Sequence, residues 1–174
     1  MASTMEILSL LEKSKFIINN TRKNKLSTDQ KGFSCPVGLK YSFMPTQKGR
    51  SDTPHTYSVP AFDDKNGDLV YHTINKWIDK WCKENKIDFR WNALTINKNF
   101  TCKIHKDSFF NKGESLVFCL GDFTGGRLLL HDDDKKEIEK IDCFEKPYIW
   151  NAYDVYHSTE DFVGQRYCVV AYWI

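Results

Sequence analysis

Two apolar patterns divide the chain, and the change from one to the other comes near residue 89. In the N-terminal half the spacing is helical. Ile7, Leu10 and Leu11 make one apolar stripe behind Ser3-Thr4-Met5-Glu6, a capping-box pattern, so a short helix is expected to begin near Ser3. A stronger signal starts at Asp68, where Leu69 is followed by Ile74, Trp77, Ile78 and Trp81 at three- and four-residue intervals from one another, predicting a helix to about Asn85. The intervening residues 20–60 are rich in Asn, Lys, Ser, Thr and Pro and read as loops with a short strand or two.

From Phe89 onward the segments FRWNALTIN, FTCKIHKD, ESLVFCL, RLLLH, YIW and RYCVVAYWI are short and rich in β-branched and aromatic residues. Turn signals such as NKG, FTGG and DFVG separate them. No helical pattern intervenes between these strands, so a mainly β (α+β) fold is expected. A jelly-roll or cupin-like double sheet with N-terminal helices packed against it fits better than a parallel α/β sheet. The chain of 174 residues is read as one domain, 1–174, with a helical and loop region over 1–88 and the β core over 89–174. The tryptophans Trp77, Trp81, Trp91, Trp150 and Trp173 are assigned to the core, and Gly121, Gly125 and Gly126 to tight turns.

Composition narrows the class. At 41% apolar and 14% aromatic residues the chain is globular rather than disordered. No run approaches the roughly 18 apolar residues of a membrane span. The beginning, MASTMEILSLLEKSK, lacks a basic stretch followed by an apolar stretch and a small-residue cleavage site, so an intracellular rather than secreted protein is expected. The six cysteines are scattered without a CxxC pair, which favours reduced thiols over a disulfide framework or a structural zinc site. Net charge is +2, yet residues 1–50 carry nine Lys/Arg against three Asp/Glu. That basic flank could meet DNA or RNA phosphates, although composition alone favours a solvated lysine-dotted face.

Candidate chemistry lies in KIHKDSFF. On a strand, residues two apart share a face, so His105 and Asp107 would project together. Imidazole and carboxylate suit an intermediate metal such as Fe(II), and a second histidine would complete a set that leaves positions open for oxygen and a co-substrate. Among the remaining histidines, His72 falls in the helical pattern and His55 in the loop-rich segment. Between Asp107 and His157 lie 49 residues, room for about four strands of ~5 residues with their turns. A competing pair, His131–Asp133, leaves 23 residues between Asp133 and His157, too few for the same excursion, and sits where a strand end runs into a charged turn. Spacing therefore favours His105, Asp107 and His157, with His157 as a mere strand cap the remaining alternative. Arg166 opens the last apolar segment, where a guanidinium is costly to bury unless it meets an anion, and its planar fork suits a carboxylate. Cys168 would share its face.

HKD at 105–107, the distant His157 and Arg166 on a terminal strand resemble the Fe(II)- and 2-oxoglutarate-dependent oxygenase superfamily over residues 89–174. The resemblance implies a double-stranded β-helix, with iron on His105, Asp107 and His157. It implies 2-oxoglutarate as co-substrate with O2, its distal carboxylate on Arg166, and Cys168 where a serine hydroxyl often assists. HKDSFFNKGESLVFCLGDFTGG is further similar to the TET/JBP branch, which oxidises the methyl group of 5-methylcytosine or thymine in nucleic acid. That likeness implies Asn111 as a contact to a flipped base, and one of Phe109, Phe110 or Trp150 could stack on it. The same chemistry on a protein side chain or small molecule is the alternative, and a non-catalytic cupin-like binding module is a second.

Overall fold

The computed structural model describes residues 3–16, 32–46, 49–59, 67–107, 111 and 113–174; for 39–46 and 49–59 the backbone alone is described. The described residues form two helices and nine strands: α1 (Thr4–Lys13), β1 (Phe33–Thr46), β2 (Gly49–Val59), α2 (Gly67–Asn85), β3 (Ala93–Lys98), β4 (Ser115–Gly125), β5 (Leu128–His131), β6 (Glu137–Ile141), β7 (Tyr148–Trp150), β8 (Tyr156–Thr159) and β9 (Phe162–Tyr172).

Both helices begin where the periodicity places them. Ser3 caps α1 by accepting a hydrogen bond from the Glu6 backbone N–H at 3.2 Å, satisfying one of the open donors of the first turn. Ile7 and Leu11 on α1 and Val70, Ile74, Ile78 and Cys82 on α2 are buried. Their stripes lie against one face of a six-stranded antiparallel sheet of order β2-β1-β3-β9-β4-β7. The sheet answers with alternate residues: Leu94 and Ile96 of β3, Leu116, Phe118 and Leu120 of β4, and Tyr167, Val169 and Ala171 of β9. Each fully buried aliphatic or aromatic side chain here contributes about 1.5–3 kcal/mol.

The intervening positions face the other way. Val117 and Cys119 of β4, Cys168 of β9 and Trp150 of β7 meet Leu128 and Leu130 of β5, which belongs to a second, three-stranded antiparallel sheet of order β6-β5-β8. The molecule is thus layered as helices, large sheet, inner face and small sheet. The chain passes from the large sheet to the small one at Gly125 and Gly126, which adopt φ of 84° and 70°. A Cβ at Gly126 would stand 2.8 Å from Cδ and Nε of Arg166, so the close approach of that side chain also requires glycine.

The strand-rich double sheet agrees with the expected class, and several local expectations are corrected. Strands β1 and β2 pair as a long antiparallel ribbon that extends the large sheet, where loops with a short strand or two were expected. Polar residues and three prolines, Pro36, Pro45 and Pro54, conceal it, because proline is not the residue of a regular strand interior. Glu137–Ile141 forms the outer strand of the small sheet although four of its five residues are exposed and EIEKI carries no apolar run. The last strand begins at Phe162 rather than Arg166, so DFVG is mostly strand and the chain turns at Glu160 and Asp161. Gly121 sits within β4 opposite Arg166, not in a turn. Trp77, Trp81 and Trp91 are half-buried against the core, whereas Trp173 is 41% exposed. Among the described residues no helix is long and apolar enough to cross a membrane.

Candidate metal centre

The segment carrying His105 and Asp107 is not a regular strand. It leaves β3 and touches β8 of the small sheet where Thr159 N–H donates to Cys102 C=O at 3.0 Å and through an antiparallel bridge, in which His105 N–H donates to His157 C=O at 3.0 Å and His157 N–H donates to His105 C=O at 2.9 Å. Two residues on, the Asp107 N–H donates to the Ala152 carbonyl at 2.8 Å. The backbone therefore pins His105 directly beside His157 of β8. In place of ladder geometry, this bridge brings 105, 107 and 157 together.

The donor atoms of His105, Asp107 and His157 all lie within 4.8 Å of one another. Oδ1 of Asp107 stands 3.6 Å from Nε2 of His105 and 3.8 Å from Nε2 of His157. Each imidazole is oriented by its other nitrogen: Nδ1 of His105 lies 2.6 Å from the Lys103 carbonyl, and Nδ1 of His157 lies 3.0 Å from the Val155 carbonyl. A carbonyl accepts only, so Nδ1 carries a proton in both rings, and Nε2 is the atom turned toward the carboxylate and placed to ligate a metal. His157 is buried with Trp150 edge-on at 5.4 Å, while His105 and Asp107 keep partial exposure. Two imidazoles and one carboxylate, preset in orientation and open on one side, form a donor set for a divalent metal with free coordination positions.

Asn111 lies behind this group. Its amide donates to Ser115 Oγ at 2.7 Å and reaches Asp107 Oδ2 at 3.4 Å. Asp107 is thereby held on one oxygen while the other faces the histidines. The competing pair is separated: His131 is buried with Nε2 2.8 Å from Ser158 Oγ, and Asp133 is exposed and paired with Lys106 at 3.2 Å. His72 is exposed on α2, and His55 lies in β2. Phe109 and Phe110 fall outside the described residues, as do five of the nine Lys/Arg of the first fifty, Arg22, Lys23, Lys25, Lys31 and Lys48.

Arg166 is 3% exposed and faces the inner side of β9 together with Cys168. No acid pairs with it among the described residues. Nη2 donates to Cys119 Sγ at 3.0 Å, and the guanidinium carbon lies 5.7 and 5.5 Å from the ring centres of Phe123 and Phe162. Nε has no hydrogen-bond partner. Burial works against the charge, but the surrounding thiols hold its pKa above the ordinary value. The same face carries two more buried polar atoms without partners, Asn97 Oδ1 and Trp150 Nε1. Buried polar groups are almost always satisfied, so the free Nε–H of this buried cation marks space for a polar, negatively charged ligand. The sequence reading missed Asn97 and Cys119, and it placed Trp150 in the core without noticing its unpartnered N–H. Nothing in local pattern marks Asn97 and Cys119, since strand register alone sets both of them opposite Cys168 on the face that carries Arg166.

No known family profile matches the chain, and no curated protein matches it in sequence. Solved structures do match in fold. A 2OG-Fe(II) oxygenase family oxidoreductase from Burkholderia pseudomallei is 12% identical with a TM-score of 0.61, covering 97% of this chain and 76% of that one. NgTET1, solved in complex with 5mC DNA, is 16% identical with a TM-score of 0.62, covering 98% and 67%. OsALKBH1 is 12% identical with a TM-score of 0.56, covering 98% and 89%. This chain therefore shares its fold with solved 2OG-Fe(II) oxygenases, as the resemblance of its HKD, His157 and Arg166 pattern implies.

Proposed function

We propose that this protein is an Fe(II)- and 2-oxoglutarate-dependent dioxygenase that oxidises a C–H bond. The observation that carries the reading is the convergence of His105 Nε2, His157 Nε2 and Asp107 Oδ1, with both rings preset by backbone carbonyls. His105, Asp107 and His157 would hold the metal, and Arg166 the distal carboxylate of 2-oxoglutarate, inside a double-stranded β-helix. Bound iron with this co-substrate supplies the oxidising power for hydroxylation, at the expense of O2 and with release of succinate and carbon dioxide.

The chain's own contribution is orientation and exclusion. The bridge between residues 105 and 157 sets the ligand positions, and Asn111 limits rotation of the Asp107 carboxylate. Arg166 would fix the co-substrate end in a dry setting where a charged hydrogen bond is strong. Cys168, on the same face, would line that end, although a thiol is a weaker donor than a hydroxyl.

For substrate, we propose a methylated or thymine base in nucleic acid, supported by the fold likeness to NgTET1 in complex with 5mC DNA. A base must leave its stack to reach such a centre. Asn111, with its amide turned onto Asp107 and Ser115, serves that site better as a support for Asp107 than as a base contact. Incubation with Fe(II), 2-oxoglutarate and oxygen should release succinate, and His105→Ala or Asp107→Ala should abolish it. Oligonucleotides carrying 5-methylcytosine or thymine, analysed by nucleoside mass spectrometry, test the substrate. Unchanged bases together with turnover on a peptide or metabolite would transfer the same chemistry to that substrate. Absence of succinate release under every condition would refute the oxygenase reading and leave a binding module.

A further inference from the structure

Cys119 and Cys168 are direct partners across β4 and β9. The main chain of Cys119 is engaged on the opposite side, its N–H donating to the Cys143 carbonyl at 2.7 Å and its carbonyl accepting from Glu145 N–H at 2.9 Å. The two cysteines are therefore a non-hydrogen-bonded antiparallel pair, the kind whose Cα atoms stand about 4.5 Å apart and whose side chains lie closest. That separation falls at the short end of the Cα range that disulfides span, where bridges are strained and easily reduced.

Both side chains are buried on the inner face, at 2% and 7% exposure, and no disulfide joins them. Their thiols hydrogen bond to each other, and Arg166 donates to Cys119 Sγ. The neighbouring thiol's hydrogen bond and the guanidinium hold the Cys168 thiol below the ordinary range against the effect of burial, while Cys119 is raised. One proton leaves the pair readily and the other stays, which is the arrangement of an attacking thiolate beside a resolving thiol.

We propose that Cys119 and Cys168 are a reversible redox pair, closing to a cross-strand disulfide when a small peroxide reaches the inner face and reopening with a thiol reductant. In the forward step the thiolate of the pair attacks a peroxide oxygen, the O–O bond breaks, a sulfenic acid forms and the departing hydroxide takes up the proton that the thiol released, leaving as water. The remaining thiol then attacks that sulfur, forming the S–S bond while the sulfenic hydroxyl leaves with the thiol proton as a second water. Hydrogen peroxide is reduced by two electrons and the two thiols are oxidised by two. Closure removes the thiolate that faces Arg166 and changes the charge balance at the guanidinium. The chemistry of the pair does not depend on which substrate the neighbouring centre takes.

The test treats the intact, chelator-stripped protein with hydrogen peroxide, blocks remaining thiols with a maleimide and maps the digest by mass spectrometry. The expected result is one cross-linked peptide joining Cys119 to Cys168, lighter by two hydrogens and reopened by dithiothreitol. Cys168→Ser should lose the bridge and form no other, and Cys143→Ser should keep it. A bridge between any other pair, oxidation of single thiols to sulfinic acid without bridging, or free alkylation of both thiols after peroxide would overturn the proposal. The mapping on the parent protein decides even if a variant fails to fold.

Discussion

Arg166→Met separates a structural guanidinium from one held ready for a ligand. Methionine keeps much of the stem that runs past Gly126 and can fill the space between Phe123 and Phe162, but it carries no charge and no N–H. Removing the buried, unpartnered Nε recovers about 1–3 kcal/mol, and relief of charge desolvation adds to that. Against this stand the Nη2–Cys119 bond, about 1.5–3 kcal/mol for an ionised donor, and two ring contacts of about 0.5–2 kcal/mol each. These opposing contributions nearly cancel. The ligand-free variant is expected to unfold in urea within about 2 kcal/mol of the parent, whereas breaking a true buried ion pair costs about 3–5 kcal/mol. With 2-oxoglutarate at a hundred times its dissociation constant the parent should gain about 2.7 kcal/mol. Losing a buried charged contact worth about 2–5 kcal/mol should leave the variant a gain below about 1 kcal/mol at the same concentration. A ligand-free loss of about 3 kcal/mol or more, or an undiminished gain from 2-oxoglutarate, would refute the argument that Arg166 awaits a carboxylate.

Asn111→Ala removes the amide that reaches Asp107 Oδ2 while leaving the three donor atoms in place, so metal affinity should fall about 10–100-fold, read by isothermal titration with Co(II) as an air-stable probe. An unchanged affinity would show that the backbone alone orients Asp107. Glu160 is bonded by Arg127 Nε and Nη2 at 2.7 and 2.5 Å, and these bonds, aided by the charges of Arg127 and Lys140, outweigh burial and bring its pKa to about 2 from an ordinary 4.5. The folded state therefore binds fewer protons than the unfolded one between those values. The Arg127–Glu160 contribution is fully present above about 4.5 and is lost as pH falls to about 2. Across that window the urea midpoint should fall further for the parent than for Glu160→Gln, and the difference should shrink in high salt. Parallel curves would show that the pair adds nothing.

The sequence by itself determined what depends on neighbours along the chain. The three- and four-residue apolar spacing and the Ser3 cap specify α1 and α2, because a helix buries its own stripe whatever it packs against. Alternating and continuous apolar runs specify β4 and β9, whose two faces supply the two cores. The identities of His105, Asp107, His157 and Arg166 were legible because a charged or ligating residue beside apolar strands is costly without a purpose. Only the tertiary structure decided what depends on register and edges. The paired strands β1 and β2 and the charged strand β6 are fixed by the strands they join, which no local apolar pattern announces. The meeting of residues 105 and 157 rests on one pair of backbone hydrogen bonds, and a shift of one residue in that bridge or in β9 would turn these side chains to the opposite face. The same register sets Cys119 against Cys168 and leaves Arg166 without an acid among the described residues. Composition cannot encode such relations, because each arises from the closure of chain segments far apart in sequence.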